Sequence, residues 1–165
     1  MGNLVTVERG RMPLTRASMI LGFGLGGFFD GIVLHQLLQW HHFVSSMVTV
    51  TTVPGLELNT LWDGIFHSAM YVVTAIGLIL VWRAINRVGA PFSPRAAFGG
   101  ILLGAGVFNL FDSIVNHWIL GIHHIREVED WLVYDIAFFI AGLILIGAGM
   151  WLIRRAQASL PARTA

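Results

Sequence analysis

Two short patterns of titratable residues interrupt an otherwise apolar sequence. Asp30, His35, His41 and His42 lie in "GFFDGIVLHQLLQWHH" (Gly27 to His42), and Asp112, His117, His123 and His124 lie in "GVFNLFDSIVNHWILGIHH" (Gly106 to His124). Both read D-x4-H-x5-H-H, 82 residues apart and in register without a gap. Asp63 and His67, in "LWDGIFHSAM", and Asp135 complete the set, and none of the seven histidines falls outside it. Imidazole and carboxylate together are the donor set of Zn(II), Cu(II) or Fe(II), which need several ligands converging from different elements. The expected core ligands are His35, His67 and His117, with Asp63 and Asp135 as ligands or orienters. His41, His42, His123 and His124 form a rim, of which His42 and His124 are the point where an ion would enter. Asp30 and Asp112 lie deeper than the paired histidines. With Asn116, His41 and His123 they are expected to orient the ligands and fix imidazole tautomers. The same residues suit a second cofactor, haem b, with His35 and His117 as the axial pair.

Each element taken singly has a plainer reading. A terminal His pair is an interfacial residue solvated by water. Asp63 or Asp135 is a helix-start residue favoured by the dipole. Asp30 or Asp112 is a hydrogen-bond partner of a neighbouring helix. The joint pattern, two copies converging at one depth, points instead to a polar functional site. The six Met residues are scattered without the M-x-x-M runs of a soft Cu(I) site and read as apolar filler.

The elements that must position these residues are membrane helices. The chain has 165 residues, 56% hydrophobic and 12% charged, with mean hydropathy +0.74. Four apolar runs, roughly 17–40, 61–82, 96–120 and 131–153, are each long enough to cross a hydrocarbon core about 30 Å thick. The expected fold is all-α: a single membrane domain over 1–165, a four-helix bundle with no room for a soluble domain. The repeat covers 21–83 and 103–155. Spans two and four match more weakly, Asp63 with Asp135 and Phe66 with Phe138, while His67 falls opposite Phe139. Two repeated helical hairpins imply a pseudo-two-fold axis along the membrane normal. Gly22, Gly26, Gly27, Gly31, Gly100 and Gly104 allow close helix approach.

Element ends are legible too. Asn59 or Thr60 is the expected cap of span two, with Asp63 completing a short capping box. "GAPFSPR" (Gly89 to Arg95) makes a turn in which Ser93 caps span three and Pro94 takes the first helical position. Asp130 caps span four. The segment from Phe43 to Asn59 is partly β-prone, and its structure does not follow from the sequence.

All ten basic residues are arginines, and Arg126 is the one that does not lie before span one, between spans two and three, or after span four. The positive-inside rule then puts both termini in the cytoplasm, as in a multi-pass protein of a bacterial inner membrane. Every arginine cluster abuts a span, so nucleic acid is not the expected partner. The lipid bilayer is, and homo-oligomerisation stays open. The first span is too long and too polar for a cleaved signal peptide and is expected to remain as an anchor. With no cysteine in the chain, disulfides, thiolate metal sites and covalent haem attachment are excluded.

These motifs, over nearly the whole chain, resemble an uncharacterised family of bacterial four-span predicted membrane proteins, a domain of unknown function. The family carries no established reaction or ligand. The resemblance implies a neighbourhood of respiratory oxidase assembly factors, and so copper handling or haem-copper oxidase maturation. Four functions compete. A metal-binding membrane protein on the outer face ranks first, and a b-type haem electron-transfer protein second. A membrane metalloenzyme acting on an apolar substrate, a zinc hydrolase or non-haem iron oxygenase, is third. A proton-coupled transporter is last, because the inner half holds Thr74 and little else that is polar.

Overall fold

The computed structural model describes residues 2–86 and 92–158. They form four long helices: α1 (Gly2–Phe29), α2 (Val53–Ile85), α3 (Pro94–Asp112) and α4 (Trp131–Ala158). α1 and α3 do not stop where their α-helical hydrogen bonding ends. Each widens into a π-helical segment, Asp30–Leu37 after α1 and Ser113–Ile119 after α3. The widening is visible in the backbone. Leu38 N–H donates to the Val33 carbonyl at 2.9 Å, and Leu120 N–H to the Val115 carbonyl at 2.8 Å, both five residues back. π-helical turns are uncommon and concentrate at functional sites, where they re-aim side chains. Here both patterns of Asp and His run through them.

Among the described residues four stretches are long and apolar enough to span a membrane: Pro13–Leu37, Val53–Ile85, Pro94–Ile119 and Trp131–Ala158. α1 and α3 pack together at the centre, α2 packs on α1, and α4 on α3. The central pair approaches closely because a Cβ on Gly22 would run into the Ile101 carbonyl, and one on Gly104 into that of Met19. α2 and α4 turn exposed Leu, Ile, Val and Trp outward, among them Leu61, Ile65, Val72, Ile79, Trp82, Ile144 and Trp151. That is the surface of a protein solvated by lipid. A small cluster of Phe66, Met70 and Phe108, with Phe23, Phe28, Phe43 and Phe138 against it, lies below the histidines.

Ser93 caps α3 as the sequence suggests, its hydroxyl accepting from Ala96 N–H at 3.3 Å. The rest of that turn falls partly on residues outside the described ones, as do Arg87 and Arg163. α2 differs from expectation. It begins at Val53, capped by Thr52, whose hydroxyl accepts from Gly55 N–H. Asn59 and Thr60 are therefore not caps. Asn59 lies inside the helix, and its amide donates to the Val48 and Gly55 carbonyls. The cap was misplaced because Leu61 begins the apolar run, whereas Thr52 followed by Pro54 is the stronger start signal. Asp63 thereby sits roughly three turns inside α2 and is free of any capping duty. The β-prone segment before α2 forms turns, with Met47 N–H donating to the Val44 carbonyl at 3.0 Å.

The two π-helical segments end alike. Gln39 (φ 50°) and Gly121 (φ 57°) occupy the same place in the two repeats, and both adopt the left-handed conformation. The chain reverses there, which sends the following His pair back over the helix end. A side chain in that conformation costs about 1 kcal/mol. Gln39→Gly is therefore expected to raise stability by about 1 kcal/mol, read as a higher midpoint of thermal unfolding in detergent.

Candidate metal centre

The reversal buries two of the residues the sequence puts at the rim. His41 and His123 are 2% and 1% exposed, as fully buried as His35 and His117 at 0% and 2%. The expected spans end near 40 and 120 and leave the terminal His pairs at a rim just beyond the helices; the chain instead folds back at Gln39 and Gly121. His42 and His124 alone of the four retain some exposure, with 12% and 17% of their side chains accessible.

Two groups of donors result. Asp30, His35 and His41 each offer a ligand atom, all mutually within 4.8 Å, and so do Asp112, His117 and His123. The distances agree between halves. His35 Nε2 lies 3.1 Å from Asp30 Oδ2, and His117 Nε2 lies 3.0 Å from Asp112 Oδ2. His41 Nε2 is 3.8 Å from Asp30 Oδ1, and His123 Nε2 is 3.7 Å from Asp112 Oδ2. The groups abut. Ring centroids are 4.4 Å apart from His35 to His41, 4.7 Å from His41 to His123, where the rings stack at 9°, and 4.9 Å from His123 to His117.

The other ring nitrogens face outward, and three of the four are hydrogen-bonded. His35 Nδ1 donates to Asp63 Oδ1 at 2.8 Å, and His117 Nδ1 lies 3.2 Å from Asp135 Oδ1. His41 Nδ1 donates to the Ile125 carbonyl at 2.8 Å and His123 Nδ1 to the Phe43 carbonyl at 2.9 Å. A carbonyl can only accept, so the proton of these last two rings sits on Nδ1 and leaves Nε2 as a lone pair. His41 is also held well below the usual histidine range, by burial first and then by the neighbouring His123 and His35. It is thus neutral and able to bind a metal at neutral pH. The crossing is reciprocal, because each connection supplies the carbonyl that anchors the other's histidine.

Asp63 and Asp135 organise this outer layer. Asp63 accepts from His35, from His42 Nδ1 at 2.6 Å, from Phe43 N–H at 2.8 Å and from Gln36 Nε2 at 3.2 Å. Asp135 is approached by His117 and accepts from His124 Nδ1 at 2.8 Å and Ile125 N–H at 2.9 Å. The structure thus places Asp63, Asp135, His42 and His124 on the far side of His35 and His117 from Asp30 and Asp112. His67 lies outside both groups, its ring centroid 6.3 Å from that of His35. Asn116 donates to Asp112 Oδ1 at 2.7 Å. The backbone groups of Phe43 and Ile125 were missed by sequence reasoning. No residue type marks them, although both directly follow the His pair in register.

A haem does not fit. The path from His35 to His117 is filled by the rings of His41 and His123 in contact, which leaves no slot for a macrocycle. A small cation does fit. Asp30 Oδ1, Asp112 Oδ2 and the Nε2 atoms of all four central histidines are buried without a hydrogen-bond partner.

A family described as "Predicted membrane protein (DUF2243)" matches residues 17–156, and the chain belongs to that family. No curated protein and no solved structure matches it.

Proposed function

We propose that this member of the family is an integral membrane protein holding a resident dinuclear metal centre. Asp30, His35 and His41 bind one ion, and Asp112, His117 and His123 the other. One observation carries this reading: six buried polar atoms, four imidazole nitrogens and two carboxylate oxygens, face one another and none has a hydrogen-bond partner. Each imidazole directs Nδ1 outward, so each Nε2 shares a dry space with two carboxylates, and those of His41 and His123 present a lone pair. Such an arrangement is repulsive unless cations or protons occupy it. Two divalent ions satisfy every one of these atoms. In this account Asp30 and Asp112 are ligands, while Asp63 and Asp135 fix the tautomer and raise the basicity of His35 and His117.

Two imidazoles and one carboxylate per ion suit Fe(II), Zn(II) or Cu(II) and leave coordination positions open. A bound ion supplies Lewis acidity there and, for iron or copper, redox chemistry. The residues of the chain hold the ions, fix their ligands' tautomers and exclude water. The near-complete burial of all six residues favours a resident centre over copper handover to respiratory oxidase assembly factors, since ligands that pass an ion on must be reached by a partner. The matched distances support a pseudo-two-fold axis relating the two hairpins. The arginine distribution supports both termini on the cytoplasmic side of a bacterial inner membrane, with the centre in the outer half of the bundle.

Elemental analysis of the protein purified in detergent tests this reading. About two ions per chain are expected, falling below about 0.2 in a His35→Ala/His117→Ala variant that still purifies as a folded helical protein. Metal-free protein after reconstitution with iron, zinc and copper would overturn it.

A further inference from the structure

The two halves match in the six central residues but not around them. Asn116 occupies Oδ1 of Asp112, leaving Oδ2 alone to face both His117 and His123. In the first half the corresponding residue is Leu34, and Asp30 turns one oxygen to each histidine, with Oδ1 unpartnered. The second difference is His67. Its Nε2 is buried and has no partner, and it lies against Gly31, the residue next to Asp30, where any Cβ would strike it. The other half has Ser113 at the glycine's place and Phe139 at that of His67. One half therefore carries an additional imidazole nitrogen beside its donor group, admitted by a glycine; the other carries the buried, unpartnered Ser113 hydroxyl and an amide-tethered carboxylate, with Phe139 packed on Trp118.

We propose that the two metal positions are inequivalent and that the Asp30 half carries the exchangeable one, where water, hydroxide or a small anion in their place binds against His67 Nε2. This rests on the metal-centre reading. Three protein donors leave a fourth position for such a ligand, and an unpartnered buried nitrogen gains a hydrogen bond only when something occupies that space. The Asp112 half, whose carboxylate is fixed by Asn116, holds its ion in place. The class of chemistry that follows is activation of a small oxygen ligand at a single ion of the pair, with His67 as its positioning residue.

The test is azide titration of cobalt(II)-loaded protein, followed by visible absorption, with cobalt content measured on the same samples. Wild-type protein is expected to load about two cobalt ions and to bind one azide per chain. His67→Phe, which copies the other half, is expected to keep both ions and weaken azide at least tenfold. His67→Gln, which retains a hydrogen-bonding group, is expected to recover most of that loss. Two equivalent azides per chain, no azide on fully loaded protein, or unchanged azide affinity in His67→Phe would each overturn the inference while leaving the metal centre standing. Failure to load cobalt would instead remove the centre, and the inference with it.

Discussion

Asp63→Ala is expected to be the most destabilising single substitution in the protein. Asp63 is 1% exposed and accepts from two imidazoles, one amide side chain and one backbone N–H. Removing it strands the fully buried Nδ1 of His35 and takes the shared acceptor from the three part-buried donors around it. Breaking a buried ionic or hydrogen-bonded partnership in this one-sided way costs about 3–5 kcal/mol. Asp63→Asn keeps the shape and one carbonyl oxygen but adds an NH2 group that faces other donors, so a smaller loss is expected. Chemical or thermal unfolding in detergent, followed by far-UV circular dichroism, measures both. In metal-loaded protein Asp63→Asn is further expected to lower affinity about 10–100-fold, because His35 loses the group that orients it. If Asp63→Ala were as stable as wild type, the carboxylate would not be organising this layer.

The second large effect concerns the two histidines carried by the connections. His41→Ala is expected to remove the ion of the Asp30 half, and His123→Ala that of the Asp112 half, each leaving about one ion per chain in a chelator-washed preparation. Either loss should also loosen the paired connections, because each ring bonds to the opposite carbonyl, at Ile125 or Phe43. Faster amide exchange over 39–52 and 120–130 is the expected signature. By contrast, His42→Ala and His124→Ala, whose rings bond to Asp63 and Asp135 on the outer side, should keep both ions at lower affinity. If His42 and His124 were ligands and His41 and His123 orienters, as the sequence alone suggests, the two pairs of variants would exchange behaviour.

The helices were legible because lipid demands about 20 apolar residues per crossing, and the chain supplies that length four times. The polar residues of the centre were legible because charge in lipid is rare and these recur in register. Their roles were harder to read. His41 and His123 look like a rim when the helix is extended past Leu38. What moves them inside is a π-helical widening followed by a left-handed residue, and of the two such residues only Gly121 advertises that conformation in its type. Gln39 does not. Asp63 looks like a helix-start residue until the helix is seen to begin at Val53. The carbonyls of Phe43 and Ile125 belong to the backbone, so residue type gives no sign of them. His67 reads from the sequence as a core ligand and as the break in the repeat, but helical spacing could not show that it lies outside both groups, against Gly31.

Anomalous diffraction from crystals of the metal-loaded protein, recorded on both sides of the absorption edge of the metal found by elemental analysis, tests the central claim most directly. The account predicts two peaks per chain, one among Asp30, His35 and His41 and one among Asp112, His117 and His123, with Asp63 and Asp135 bonded to histidine Nδ1 atoms and not to metal. Peaks against Asp63 with His42 and Asp135 with His124, or no peak in crystals whose inner Asp and His pairs are intact, would contradict it. The latter would make the cluster a proton-sharing network that holds the bundle together.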